Sequence, residues 1–313
     1  MPRQTQTSRN CPGNGRPPSQ RGPLPTVSVK RDFDFILDLA GLFTEFSRTN
    51  MTEPSKNQNP MRPAGFLEKV ICRLRSPLAG LPETRHTTST RESIKYGYDA
   101  LGFRLIAESL IMGVQYAVHS AVEGDIAEFG TQTGRTAKVI SAAMQLYRAD
   151  KSLHLFDSFE GMPEAHAAAD LDNEHVKLGV WGKGQLKGAS PEQLRAWCGK
   201  RIPPDSIKIY KGWFSDTLPK IPAGQRFAMI HVDSDLYSSA YEVLDFMFKN
   251  SALTTGALVY FDDWDCNRAS NNHGERKAWR EITALYKVSF DDMGGYAWAG
   301  HKFIVHGYAA AAR

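Results

Sequence analysis

Cysteine is scarce in this 313-residue chain: Cys11, Cys72, Cys198 and Cys266 stand far apart, with no C-x-x-C pair. That excludes a zinc-ligand spacing and a disulfide framework, and it fits a reducing compartment. Long apolar runs are lacking too. Nothing approaches the length needed to span a bilayer, and no signal-peptide core follows the basic start, so the expectation is a cytoplasmic protein with no transmembrane segment. No internal repeat is visible. An excess of either charge is nearly absent, with 38 basic residues against 34 acidic and a formal net charge of +4. A balance so close to neutral does not mark a nucleic-acid binder. The excess is also local: Arg3, Arg9, Arg16, Arg21, Lys30 and Arg31 precede the first acid.

What is present suffices for a core, since 42% of residues are hydrophobic and the length suits one large domain with an appended segment. Residues 1–60 are rich in Pro, Arg, Ser, Gly and Gln at the start and read as a disordered or loosely docked basic tail and linker. Residues 61–120 read as an N-terminal helical cap. Phe66, Leu67, Val70, Ile71 and Leu74 share one helical face, and a second helical pattern runs from Tyr98 to Ser120. The first helix suits packing on the main domain better than a membrane surface.

From residue 121 to about 308 the pattern alternates between strand and helix, predicting an α/β domain with a mostly parallel sheet, helices on both faces and an antiparallel edge. Predicted strands are 125–130, 153–157, 207–210, 227–233 and 257–263, with helices over 136–147 and 240–248. The edge pair falls at 287–290 and 302–306. The strands at 227–233 and 257–263 are nearly continuous apolar runs, as expected for strands covered on both faces.

Two constellations carry chemistry. Glu128-Phe-Gly-Thr-Gln-Thr-Gly-Arg-Thr follows one strand and opens one helix, where Gly130 and Gly134 permit a tight turn and helix N–H groups can receive an anion. It is not G-x-G-x-x-G, which weakens a dinucleotide reading. Asp157, at the end of the next strand, suits the two hydroxyls of a ribose. Glu128 would repel a pyrophosphate but suits a ligand with an amino group and a sulfonium. A glycine turn with two incidental acids accounts for this loop equally well.

The second constellation is His231-Val-Asp-Ser-Asp-Leu-Tyr at one strand end and Phe261-Asp-Asp-Trp-Asp at another. Asp233, Asp235, Asp262 and Asp263 should meet at the edge that carries Asp157, where they repel one another unless a cation intervenes. All-oxygen ligation suits Mg²⁺, Mn²⁺ or Ca²⁺. Turn and cap chemistry would explain one of these aspartates but not four. A cation lowers the pKa of a substrate hydroxyl, and Asp235 is the candidate general base. His231 and His273 are weaker candidates.

Together these segments resemble the macrocin O-methyltransferase (TylF-type) family, which methylates sugar hydroxyls. The resemblance is carried in order by Glu128-Phe-Gly-Thr-Gln-Thr-Gly, Leu155-Phe-Asp-Ser-Phe-Glu-Gly-Met-Pro, Lys211-Gly-Trp-Phe-Ser-Asp-Thr-Leu-Pro, His231-Val-Asp-Ser-Asp-Leu-Tyr-Ser and Phe261-Asp-Asp-Trp. His273-Gly-Glu-Arg-Lys-Ala-Trp and Gly295-Tyr-Ala-Trp also fit. The resemblance implies a Rossmann-like class I methyltransferase fold over 121–308 and an O-methyltransferase that uses S-adenosyl-L-methionine and Mg²⁺ (or Mn²⁺). It implies a small-molecule or saccharide acceptor and a homo-oligomer. It assigns Asp233, Asp262 and Asp263 as metal ligands, Asp235 as general base and Asp157 as the ribose acid. Gly130, Thr131 and Gly134 would line the methionine end, Ser158 and Phe159 the adenosine, and Trp213 with Phe214 the adenine. The chain departs from the family at Thr131-Gln-Thr-Gly-Arg, where a Trp and a denser glycine pair are usual. Residues 165–188 are expected to form a mobile lid over the acceptor. Two other readings remain: a metal-dependent glycosyltransferase using Asp233-Ser234-Asp235 as a DxD, and a binding protein on a retired fold.

Overall fold

A computed structural model describes residues 100–309. The expected tail, the helix over 66–74 and the start of the next helix at Tyr98 lie outside the described residues. The first described element, α1 (Ala100–His119), buries Ile106, Leu110, Val114 and Ala117 on one stripe. Seven strands follow: β1 (Asp125–Phe129), β2 (Leu153–Asp157), β3 (Ile207–Lys211), β4 (Phe227–Val232), β5 (Leu253–Phe261), β6 (Ser289–Tyr296) and β7 (Gly300–Gly307). They form one sheet in the order β3-β2-β1-β4-β5-β7-β6. All pairs from β3 to β5 are parallel, while β7 runs antiparallel to both β5 and β6. This is the expected Rossmann-like architecture with its antiparallel edge.

Both faces are covered, and the period-two alternation of strands decides what faces what. Ala127, Phe129, Ile230, Val232, Val259 and Phe261 pack against Val243, Leu244 and Met247 of α7 (Tyr237–Lys249), and against Ala278, Trp279 and Ile282 of α8 (Gly274–Leu285). The neighbouring residue Tyr260 points to the other face, where its hydroxyl donates to the Ser109 carbonyl of α1 at 3.0 Å. Each fully buried large apolar side chain contributes about 1.5–3 kcal/mol, so the two central strands anchor the domain. On the α1 side lie α2 (Arg135–Leu146) and α5 (Pro191–Cys198), and α5 starts with a capping box between Ser190 and Gln193. The Cys198 and Cys266 thiols are free and buried.

The sequence pattern places the start of β5 at residue 257, whereas the strand begins at Leu253. The register slips between these points: Phe227 pairs Leu253 but Met229 pairs Leu258. Gly256, at φ +86°, absorbs the bulge. Helices α5 and α8 are additions to the expected set. Among the described residues no helix is long and apolar enough to cross a membrane.

Residues 165–188, expected to be a mobile lid, are docked. Met162 N–H donates to the Gln185 carbonyl and Gly184 N–H to the Met162 carbonyl, at 2.8 and 2.9 Å, closing the base of the excursion. Within it are two single-turn helices, α3 (Ala168–Leu171) and α4 (Glu174–Lys177). Trp181 is buried with Met162, Leu236, Cys266 and Ala299, and stacks on His175 at 4.3 Å. Asp170 is fully buried and accepts from the N–H groups of Tyr237 (2.7 Å) and Ser238 (3.2 Å). Helix α7 has no side-chain cap of its own, so Asp170 caps it from outside. Accordingly Asp170→Ala should cost about 1–2 kcal/mol in urea unfolding, as loss of a helix cap does, and Asp170→Asn clearly less. Equal stability of all three proteins would show that the cap is not used.

Candidate active site

The carboxyl ends of the parallel strands carry the loops singled out in the sequence. After β1 the chain turns at Gly130, whose φ is +90°. A Cβ there would lie 1.8 Å from the Asp233 carbonyl oxygen, so only glycine lets the β1 and β4 ends come this close. Gly134, at φ 68°, starts α2 in the left-handed region. Between them the loop is tied to β2 by Asp157. Its Oδ2 accepts from Thr131 N–H (2.8 Å), Gln132 N–H (2.9 Å) and the Thr131 hydroxyl (3.2 Å), while Oδ1 accepts from Phe159 N–H at 2.6 Å. Asp157 thus latches the first loop, and the remaining acceptor capacity lies on Oδ1.

Other residues expected around a cofactor line the same edge. Ser158 makes a local turn, donating to the Gly161 carbonyl at 2.8 Å. Phe159 is largely buried at φ 58°, and Trp213 is 38% exposed just beyond β3. Phe214, the first residue of α6 (Phe214–Thr217), packs edge-on against Phe129. Glu128 stands apart from the turn: it lies inside β1, fully buried, with Oε1 3.1 Å from His231 Nδ1 of β4.

The acid cluster forms at the ends of β4 and β5. Asp233, Asp235 and Asp263 each present a carboxylate oxygen within 4.8 Å of the others. Asp235 reaches this position with φ 61°, a backbone conformation uncommon outside glycine. Asp262 leans the other way, its Oδ1 3.8 Å from His231 Nε2. His231 therefore sits between two acids, Glu128 and Asp262. Burial alone would lower its pKa, but the two acids outweigh this and push it up to about 9. It serves as a buried cation balancing the cluster. His273 also positions structure, holding the Ala169 carbonyl at 3.2 Å from Nδ1.

Burial and mutual repulsion raise Asp233 and Asp235 well above the usual carboxylate range. Burial and the Asp262 charge bring Asp263 to about 6. The Cys266 thiol, itself pushed up by burial, donates to Asp263 Oδ1 at 3.1 Å. Glu128 Oε2, Ser234 Oγ and His231 Nε2, buried next to the cluster, lack a hydrogen-bond partner. Crowded oxygen donors with elevated pKa values and orphaned neighbours fit a hard divalent cation.

Glu275 joins the site without having been singled out by sequence. It lies in α8, fully buried, and accepts from Asp263 N–H at 2.9 Å and Ser234 N–H at 3.4 Å. Burial and the charge of Asp263 raise its pKa well above the usual range. The only signal for it in the sequence is an acid at the start of the His273-Gly-Glu-Arg-Lys-Ala-Trp segment.

Comparison with known proteins adds an independent line. The family model of macrocin-O-methyltransferase (TylF) matches residues 78–297. A tetracenomycin rhamnosyl 4'-O-methyltransferase from Streptomyces olivaceus is 31% identical over 157 residues, spanning 48% of this chain and 58% of that protein. The chain therefore spans little more than half the length of that relative. Mycinamicin III 3''-O-methyltransferase from Micromonospora griseorubida is 26% identical over 214 residues, 64% of this chain and 81% of that one. Among solved structures, the O-methyltransferase NovP superposes with a TM-score of 0.55 at 21% identity, covering 64% of this chain and 79% of its own. A calicheamicin methyltransferase superposes at 0.52 and 19% identity, covering 91% and 99%. At these identities the structures establish a shared fold.

Crowded acids also set how the cation-free protein responds to pH. Asp263 has a folded pKa above its ordinary 3.8, so its contribution to stability is present at low pH and lost as pH rises through about 6. His231, raised from 6.5 to about 9, loses its contribution over that higher window, in the same direction. Melting temperature in chelator should therefore fall as pH rises from about 4 to 9, and Asp263→Asn should flatten the lower part. Added Mg²⁺ should stabilise most at high pH. A wild-type profile identical to that of Asp263→Asn would contradict this electrostatic picture.

Proposed function

The chain belongs to the macrocin-O-methyltransferase (TylF) family, and on that premise we propose that it methylates a hydroxyl of a sugar or glycosylated small molecule with S-adenosylmethionine and a divalent cation. The observation that carries the reading is the meeting of Asp233, Asp235 and Asp263 beside the loop that Asp157 latches. The activities of its relatives support it: one acts on a rhamnosyl tetracenomycin, another on mycinamicin III and a third, from Streptomyces niveus, on demethyldecarbamoylnovobiocin.

In this reading Gly130, Thr131 and Gly134 shape the loop against the amino-acid end of the cofactor. Asp157 receives a ribose hydroxyl through the free capacity of Oδ1, Ser158 and Phe159 flank the adenosine, and Trp213 covers the adenine. Glu128 acts from beneath, contributing negative charge under the positively charged end. Asp233 and Asp263 hold the cation, with Asp262 as the third acid that the family pattern implies and His231 balancing its charge. When bound, the cation lowers the pKa of the acceptor hydroxyl, and the cofactor supplies a methyl group on a sulfonium. Asp235 stands in the same cluster, within reach of the oxygen that a cation there would hold, and is the group placed to take the hydroxyl proton. Transfer of that methyl group to the acceptor oxygen would leave the bonding pair on sulfur and the hydroxyl proton on Asp235. The docked segment 165–188 borders the acids, with Trp181 packed against Leu236 and Cys266 of the neighbouring loops.

A glycosyltransferase using Asp233-Ser234-Asp235 would leave Asp262 and Asp263 without a role. Titration calorimetry separates the two: S-adenosylhomocysteine should bind wild type and fail with Asp157→Ala, whereas binding of a nucleotide sugar alone would reverse the assignment. With a panel of deoxysugar glycosides as acceptors, Asp233→Ala and Asp263→Ala should lose at least about 100-fold in turnover while retaining S-adenosylhomocysteine binding. Full activity in chelator would rule out the cation.

A further inference from the structure

The β4–β5 ladder ends just below the acids. Its last register pair is Val232 with Phe261, and its final bond runs from Asp262 N–H to the Val232 carbonyl at 3.1 Å. Beyond that point the two strands diverge into the loops that carry Asp233 and Asp235 on one side and Asp263 on the other. Glu275 supplies the next rung. Its Oε2 accepts from Asp263 N–H at 2.9 Å, and its Oε1 lies 3.4 Å from Ser234 N. Ser234 is the residue between the two aspartates of its loop. One carboxylate thus bridges two loops that no longer pair through backbone.

The platform behind it is rigid. Glu275 opens the 12-residue α8, where Ala278, Trp279 and Ile282 are packed in the core. The positive end of the helix dipole supports a carboxylate here. Even so, a fully buried acid beside four aspartates adds repulsion that an amide or an apolar residue would avoid. What a carboxylate offers in return is two acceptor oxygens in a fixed fork, one for each N–H donor. A glutamine offers one acceptor and turns an N–H₂ toward the other donor, and an aspartate is one methylene too short to span both.

We propose that Glu275 is a positioning residue that fixes the spacing of the Asp233–Asp235 and Asp262–Asp263 loops and thereby the cluster's affinity for a divalent cation. The proposal rests on the cation-assisted reading above. Glu275 acts through backbone that it holds rather than by touching substrate, so its effect belongs in cation binding and not in cofactor binding.

The deciding experiment is Mn²⁺ binding to the metal-stripped full chain, followed by electron paramagnetic resonance of the free ion, with S-adenosylhomocysteine affinity measured in parallel. Loss of such an outer partner typically weakens metal binding about 10–100-fold. Both Glu275→Gln and Glu275→Asp should raise the Mn²⁺ Kd at least about tenfold, while S-adenosylhomocysteine affinity stays within about twofold of wild type. Glu275→Asp separates geometry from charge, because it keeps the carboxylate and shortens its reach. Wild-type Mn²⁺ affinity in Glu275→Asp would overturn the proposal, even if Glu275→Gln were weak. A parallel loss of S-adenosylhomocysteine affinity in both variants would also overturn it, assigning Glu275 to general folding. Failure of wild type to bind Mn²⁺ would instead refute the cation reading itself.

Discussion

Four aspartates at the ends of two adjacent parallel strands repel one another, and much of the surrounding structure answers that repulsion. Parallel strands bring their carboxyl ends to one edge, so Asp233 and Asp235 after β4 and Asp263 after β5 share a small volume, with Asp262 just below them facing His231. Burial deepens the conflict by removing water that would screen it. The protein meets part of it locally. His231, held between Glu128 and Asp262, keeps a proton, the Cys266 thiol donates to Asp263, and α8 directs its N-terminal end at the cluster through Glu275. The mutual repulsion of Asp233, Asp235 and Asp263 is not fully offset by these neighbours, and the excess is the charge a cation would meet.

A second theme is that acids on this edge work as ties between segments distant in sequence. Asp157 fastens the β1 loop to β2, Asp170 fastens segment 165–188 to the start of α7, and Glu275 joins the loops after β4 and β5. Each accepts backbone N–H groups that would otherwise end in loops without partners. The three ties surround one edge of the sheet, so the docked segment, the loop after β1 and the acid cluster form one connected frame. Gly130 completes it by letting the β1 and β4 ends touch without a side chain between them.

The fold is largely legible in the sequence because its signals are local. Apolar runs at 227–233 and 257–263 mark the central strands, the alternation of strand and helix marks the class, and the paired aspartates mark the edge of the candidate site. What escapes a sequence reading are interactions that span the chain. Nothing near Asp170 says that it caps a helix starting at Tyr237, and nothing near Glu275 says that it meets Ser234. Helix α8 hides within a charged segment whose apolar stripe, Ala278, Trp279 and Ile282, becomes evident only against the sheet. Glu128 falls within the expected strand 125–130, but nothing near it says that it faces His231 of the neighbouring strand. Asp157 stands out by its place after β2, but its contacts with Thr131 and Gln132 depend on how far the first loop leans, which sequence does not encode locally.

Crystals of the protein grown with S-adenosylhomocysteine and Mn²⁺, measured for the anomalous signal of manganese, decide whether the acid cluster is a cation site beside an adenosyl pocket. One strong peak is expected within about 2.5 Å of carboxylate oxygens at the ends of both β4 and β5, with the nucleoside lying over Asp157. A cofactor in place with no anomalous peak among Asp233, Asp235, Asp262 and Asp263 would contradict the cation site.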